Sequence, residues 1–249
     1  MINIKSPKEM EKMQEACRIT AQALELAGKE LHAGMTTGQL DKIIHDFIVS
    51  KGAVPSFLGY GGFPGSACIS VNEEVIHGIP GKRKILEGDI VSVDVGAYYN
   101  GFNGDTCATF PVGKISDEAA RLLKATEESL YIGIEQAVAG NRIGDIGHAV
   151  EEYILSQGFA VVRKYVGHGV GKDLHEDPEV PNFGTAGHGV RLVPGMTIAI
   201  EPMVNIKGSD IRVLPNNWTV VPKSGSLSAH FEHTIAITSD KPVILTKRG

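Results

Sequence analysis

The chain reads as an α/β (α+β) protein built from two related halves, and three features carry that reading. Helix-like, helix-like and strand-like stretches follow one another in that order twice. The two passes align residue by residue: Ala33-Gly34 with Ala139-Gly140, Gly38 with Gly144, Leu40 with Ile146, and Gly52 with Gly158. Further on, Gly88 matches Gly195 and Asp94 matches Glu201. A repeat of roughly a hundred residues is too long for a solenoid unit. Nothing between Val112 and Ser116 resembles a flexible linker. A single domain over residues 1–249 is therefore expected, with pseudo-two-fold halves 1–113 and 114–249. Their strands should share one sheet, with the helices over one face.

Each element has a local cause. Ser6-Pro7-Lys8-Glu9 is a capping box with proline at the first helical position, so a helix should run from there to Leu31, before Gly34. Thr37 opens a second helix with Leu40, Ile43, Ile44 and Phe47 as its apolar stripe, ended by Gly52. Short β-branched runs broken by Gly and Pro follow, at 67–71, 90–98 and 104–112. Ser116 starts a third helix that ends near Gly140. A fourth carries Ile146, Val150, Tyr153 and Ile154 and stops at Gly158. Strand-like runs return at 160–165, 197–206, 211–213, 218–221 and 231–237.

Composition excludes several classes. With 42% hydrophobic residues in 249, the chain is too apolar to be disordered and long enough to fold without disulfides. A net charge of −5 argues against nucleic-acid or anionic-membrane binding as the main activity. No apolar run reaches the ~18 residues of a membrane span. The first residues carry Lys5, Lys8, Glu9, Glu11 and Lys12 and no apolar stretch, so no signal peptide is expected. Cys17, Cys68 and Cys107 are odd in number and widely spaced, which suits a reducing compartment.

Four of the most apolar strand-like runs carry an acid: Asp94, Asp105, Glu201 and Glu232. Any one of them alone reads as a hydrogen-bonded structural carboxylate. Four, two in each half, point to a cation, because acids seldom enter buried strands unpaired. Asn100-Gly101 is a type I′ hairpin signal. That turn sets Tyr99 opposite Phe102 and Asp94 opposite Cys107, with Asp105 on the same face as Asp94. His168 lies between glycines in Gly167-His168-Gly169-Val170-Gly171, His175 follows, and His77 lies in Ile76-His77-Gly78-Ile79-Pro80. His32, His45, His148 and His188 have no such context; His230 and His233, flanking Glu232, stay undecided. Carboxylates with an imidazole suit hard or borderline divalent ions, and the absence of CxxC excludes a zinc ribbon.

Asp94, Asp105, His168, Glu201 and Glu232, in this order and spacing, resemble the metal ligands of the bacterial, type I methionine aminopeptidases. Cys68-Ile69-Ser70-Val71-Asn72, Asn103-Gly104-Asp105-Thr106, Gly167-His168-Gly169 and Glu201-Pro202 match as well, over nearly the whole chain. The resemblance implies the pita-bread fold, with a mostly antiparallel sheet. It implies two divalent metal ions, drawn from Co, Mn, Fe, Zn and Ni. Asp94 would bind one, His168 and Glu201 the other, and Asp105 and Glu232 would bridge them. The implied reaction is attack of a dimetal-bound hydroxide on the first peptide bond, releasing N-terminal methionine when the second residue is small. Glu201 would move the proton, His175 would hydrogen-bond the carbonyl oxygen, and His77 would assist at the scissile nitrogen.

Phe57, Tyr60, Phe63, Cys68, Leu174 and Trp218 match the family's methionine pocket, where sulfur–aromatic contacts contribute about 0.3–1.5 kcal/mol. Leu174 stands where many members have phenylalanine, and Phe57 and Gly61 also depart from some bacterial members. These departures touch pocket shape, not chemistry. Further implications are a cytoplasmic monomer acting on the N-termini of nascent polypeptides, with the ribosome as a partner and no nucleic-acid or membrane role. An Xaa-Pro peptidase of the same fold and a non-catalytic peptide-binding module are the competing readings. Because His168 must be neutral to ligate, activity should fall near pH ~6.5.

Overall fold

The computed structural model describes residues 2–249. Its helices are α1 (Pro7–Glu30), α2 (Thr37–Ser50), α3 (Asp117–Gln136) and α4 (Ile143–Ser156). The first half contributes strands β1 (Val54–Pro55), β2 (Ala67–Val71), β3 (Ile90–Tyr99) and β4 (Phe102–Pro111). The second contributes β5 (Ala160–Val161), β6 (Gly167–Gly169), β7 (Glu176–Val180), β8 (Thr197–Ile200), β9 (Met203–Asn205), β10 (Ile211–Val213), β11 (Val220–Pro222), β12 (Ser228–His230), β13 (Glu232–Ala236) and β14 (Val243–Ile244). Among the described residues, no helix is long and apolar enough to cross a membrane.

Capping fixes where the helices begin. Ser6 accepts from the Glu9 backbone N–H, and the Glu9 carboxylate accepts from Ser6 N–H at 3.0 Å. Each such cap contributes about 1 kcal/mol. The second helix is capped by Thr36, one residue before the threonine expected to open it, with Gln39 completing the box. Ser116 caps α3 through Ala119 N–H at 3.1 Å.

A nine-stranded sheet carries the site, in the order β1-β3-β4-β13-β8-β6-β7, with β2 paired to β3 and β14 paired to β13. All of these pairings are antiparallel. The seam between the two halves is β4 against β13, where Glu232 lies opposite Cys107. Asn100 (φ 50°) and Gly101 (φ 89°) form the β3–β4 turn. Both central residues of a type I′ turn need positive φ, which is why this dipeptide sets the register. Tyr99 then pairs with Phe102 and Asp94 with Cys107, as the hairpin signal requires.

Period-two alternation divides the sheet into two faces. Val91, Val93, Val95 and Ala97 join the core that α1 and α2 cover with Ile19, Leu24 and Ile44. Gly104, on the helix side of β4, lies so close to α1 that a Cβ there would sit 2.7 Å from Cys17 Cα. Asp94, Asp105 and Cys107 face the other way, and the two acids line a cavity. The internal repeat has a backbone counterpart. Gly34 (φ 95°) donates to Ile85 O as Gly140 (φ 100°) donates to Leu192 O, and Gly38 donates to Gly81 O as Gly144 donates to His188 O.

Some strands differ from expectation. The 197–206 run divides into β8 and β9 because Pro202 cannot donate to a ladder. The 160–165 run pairs only at Ala160–Val161. The 231–237 run begins pairing at Glu232, after β12 has paired with β9.

Candidate metal centre

Five neighbouring strands each bring one polar side chain to a common cavity. In sheet order these are Asp94 on β3, Asp105 on β4, Glu232 on β13, Glu201 immediately after β8, and His168 on β6. Ligand atoms of Asp105, His168 and Glu232 all lie within 4.8 Å of one another. His168 Nε2 is 3.8 Å from Asp105 Oδ2 and 3.5 Å from Glu201 Oε1. Its Nδ1 lies 2.9 Å from Gly169 O and must donate to that carbonyl. The hydrogen bond fixes the tautomer and leaves the Nε2 lone pair aimed at the acids, as a metal ligand requires.

Electrostatics separate this cluster from an ordinary buried network. Withdrawal from water pushes the Asp94 carboxyl up to about 7. The same cause raises Asp105, Glu201 and Glu232 well above the usual carboxylate range, and the neighbouring acids raise them further. Asp94 Oδ1, Asp105 Oδ1 and Glu232 Oε1 have no hydrogen-bond partner. A buried oxygen without a partner costs about 1–3 kcal/mol, more when charged. No lysine or arginine lines the cavity to balance the acids. Three orphaned oxygens and a free imidazole nitrogen are the donor set that divalent cations take, so the residues fit a metal site.

The imidazoles are held neutral. Burial, together with the repulsion a second imidazolium at His175 would exert, pushes His168 down to about 3 and His77 down to about 4. His175 is also lowered, by the water it loses. Loss of activity near pH 6.5 through His168, expected from a free imidazole, therefore does not follow: this ring needs no metal to stay unprotonated.

His175 stands at the mouth, its ring 4.0 Å from that of His168 and its Nδ1 2.9 Å from Tyr60 Oη. His77 adopts a left-handed φ of 58° and meets Trp218 and Tyr165 edge-on, at 6.3 and 5.7 Å. Phe57, Phe63, Cys68 and Leu174 form a small apolar cluster with Trp218 against it, and Phe63 meets Trp218 edge-on at 5.1 Å. Tyr60 is nearly half exposed and closes one side of the entrance. The cavity encloses about 160 Å³.

Every residue singled out from the sequence for metal binding, catalysis or the methionine pocket lines this cavity. His32, His45, His148 and His188 do not. Two lining residues were not assigned: Ile76 and His230. His230 is buried, its Nε2 unpartnered and 3.8 Å from Glu201 Oε2. Its place two residues before Glu232 was the available signal, because residues two apart on a strand share a face; the break at Phe231 weakened it. His233 points away and contacts Thr246 at 3.0 Å.

The sequence profile of metallopeptidase family M24 matches residues 11–239. A methionine aminopeptidase of Clostridium acetobutylicum is 53% identical over 247 residues, covering 99% of each chain. The crystal structure of a Thermotoga maritima methionine aminopeptidase superposes with a TM-score of 0.98 at 46% identity, over 100% of both chains. A Pyrococcus horikoshii prolidase shares the fold with a TM-score of 0.80 at 24% identity, but only 64% of that chain is covered.

Proposed function

The chain belongs to metallopeptidase family M24 and, within it, to the methionine aminopeptidases; on that premise we propose how its site divides the work. It is a metal-dependent exopeptidase that removes N-terminal methionine from polypeptides whose second residue is small. Asp94, Asp105, His168, Glu201 and Glu232 would hold two divalent ions, with Asp105 and Glu232 shared between them. When bound, such ions supply Lewis acidity, lowering the pKa of water toward neutrality and drawing charge from the carbonyl oxygen.

The remaining roles fall to the chain's own side chains. The cluster of Phe57, Phe63, Cys68, Leu174 and Trp218 receives the methionine side chain, with Tyr60 closing over it. Glu201 takes the proton from the attacking water and passes it to the leaving amine. His175, neutral, donates a hydrogen bond from Nε2 to the carbonyl oxygen as it gains charge, while Tyr60 holds its Nδ1. His77 interacts with the scissile nitrogen. We place the enzyme in the cytoplasm as a monomer, a single catalytic domain made by both halves, acting on nascent chains at the ribosome.

One observation carries this reading: four acids and one imidazole converge from adjacent strands with unpartnered oxygens and no cation from the protein. The test is a manganese-supplemented assay on Met-Ala-Ser, Met-Leu-Ser and an Xaa-Pro peptide. Release of methionine from Met-Ala-Ser far faster than from Met-Leu-Ser is expected. Cleavage of the Xaa-Pro peptide alone would overturn the substrate.

A further inference from the structure

Outside the Tyr60–His175 pair a second concavity opens. It shares Tyr60, Leu174 and His175 with the reaction cavity and runs over Val54, Leu58 and Tyr98 to Lys172. Four large apolar side chains stand exposed along it: Val54 at 59%, Leu58 at 47%, Tyr60 at 48% and Tyr98 at 41%. Gathered apolar surface of this kind marks a contact site, whereas single exposed residues do not.

The floor beneath them is already satisfied and stiff. Val54 is paired with Tyr98 across β1 and β3. Ser56 N–H donates to Gly96 O at 2.9 Å, and Ser56 Oγ donates to Asn103 Oδ1 at 2.9 Å. The Asn103 amide donates to Gly171 O and Lys172 O at 3.1 and 3.0 Å. The shelf is thus held from beneath by β3 and by the 171–172 backbone, and its exposed large side chains are apolar. Lys172 is paired with Glu9 at 3.3 Å and Asp173 lines the same groove, so the groove is not a basic site for an acidic partner.

We propose that this shelf binds the third and fourth residues of the substrate polypeptide through apolar side chains. The proposal rests on the aminopeptidase reading above and extends it beyond the bond that is cut. An extended chain advances ~3.3 Å per residue with side chains on alternate sides. With methionine against the cluster of Phe57, Phe63, Cys68, Leu174 and Trp218 and the second residue beside the acids, the chain leaves past His175, where the cavity and shelf share Tyr60, Leu174 and His175.

The test compares kcat/KM for Met-Ala-Leu-Leu-Ser and Met-Ala-Gly-Gly-Ser with the manganese-loaded enzyme, its Leu58→Ser variant and its Tyr98→Ser variant. Partial burial of one leucine predicts about a fivefold preference for the Leu-Leu peptide in the unaltered enzyme. Either variant should lose that preference while cutting the Gly-Gly peptide at the original rate. Equal kcat/KM for the two peptides in the unaltered enzyme, or a preference kept by both variants, overturns the shelf. If neither peptide is cut, the aminopeptidase reading fails by itself. The shelf is then judged by calorimetric binding of the same peptides: about fivefold tighter binding of the Leu-Leu peptide supports it, and equal binding overturns it. Sedimentation decides the other occupant, since self-association lost in Tyr98→Ser would assign the face to a second copy of the chain.

Discussion

Asp105 is the residue on which the site converges. It lies within reach of His168 and Glu232, and Asp94 and Glu201 are the neighbouring charges that raise its proton affinity. Asp105→Asn removes one shared charge and should abolish turnover, with metal stoichiometry by calorimetry falling by at least one ion. A variant with the original rate and two bound ions would refute the bridging role. His175→Ala should lower kcat on the order of 10²–10³-fold, the usual cost of losing one oxyanion donor, with little change in KM. The pH dependence follows from His77. Burial depresses its pKa to about 4, so it stays neutral as pH falls from 7 through 6.5. With saturating metal, the pH–rate profile of the unaltered enzyme and of His77→Asn should therefore share the same acid limb at pH 5.5–7. A limb near pH 6.5 present only in the former would mean that His77 titrates as a free imidazole.

At the scale of elements, the site depends on how closely β4 lies on α1. Gly104 allows that approach, and Asp105 is the next residue. Gly104→Ala forces a Cβ to 2.7 Å from Cys17 Cα and should destabilise by about 1–3 kcal/mol, as overpacked sites do. A lowered denaturant midpoint would register it, together with weaker metal binding if the strand shifts. The β3–β4 hairpin was legible because Asn100-Gly101 selects one turn, and the turn fixes the register of Asp94 and Asp105. The long helices were legible through caps and apolar period, within a residue or two except at the end of α3, which stops at Gln136, four residues before the glycine expected to end it. β6 and β7 were not read as strands. Gly167-His168-Gly169 lacks β-branched side chains, and Glu176–Val180 carries three acids or prolines in its first three residues. Their pairing comes from their neighbours in the sheet, not from local preference. Which face the acids shared across strands was legible within the hairpin alone; the meeting of Asp105 with Glu232 depends on β4 against β13, a contact that no local signal encodes.

At the scale of the whole molecule, each half brings two acids to the cavity, so metal content should govern stability. Without cations, the native state must hold four carboxyls away from water and near one another. Their pKa values in the folded protein are raised, Asp94 to about 7 from an ordinary 3.8, and the others in the same direction. A raised pKa means that folding takes up protons between the unfolded and folded values. The resulting stability is present below pH ~4 and is lost as pH rises through the folded value. Divalent ions replace those protons and bind more strongly as pH rises. The increase in Tm produced by adding manganese to chelator-treated protein should therefore be larger at pH 8 than at pH 5.5. At a free ion concentration one hundred times Kd, the stabilisation should reach about 2.7 kcal/mol for a single site. Calorimetric melts at the two pH values measure it. An increment independent of pH would mean that the ions bind somewhere other than among these acids.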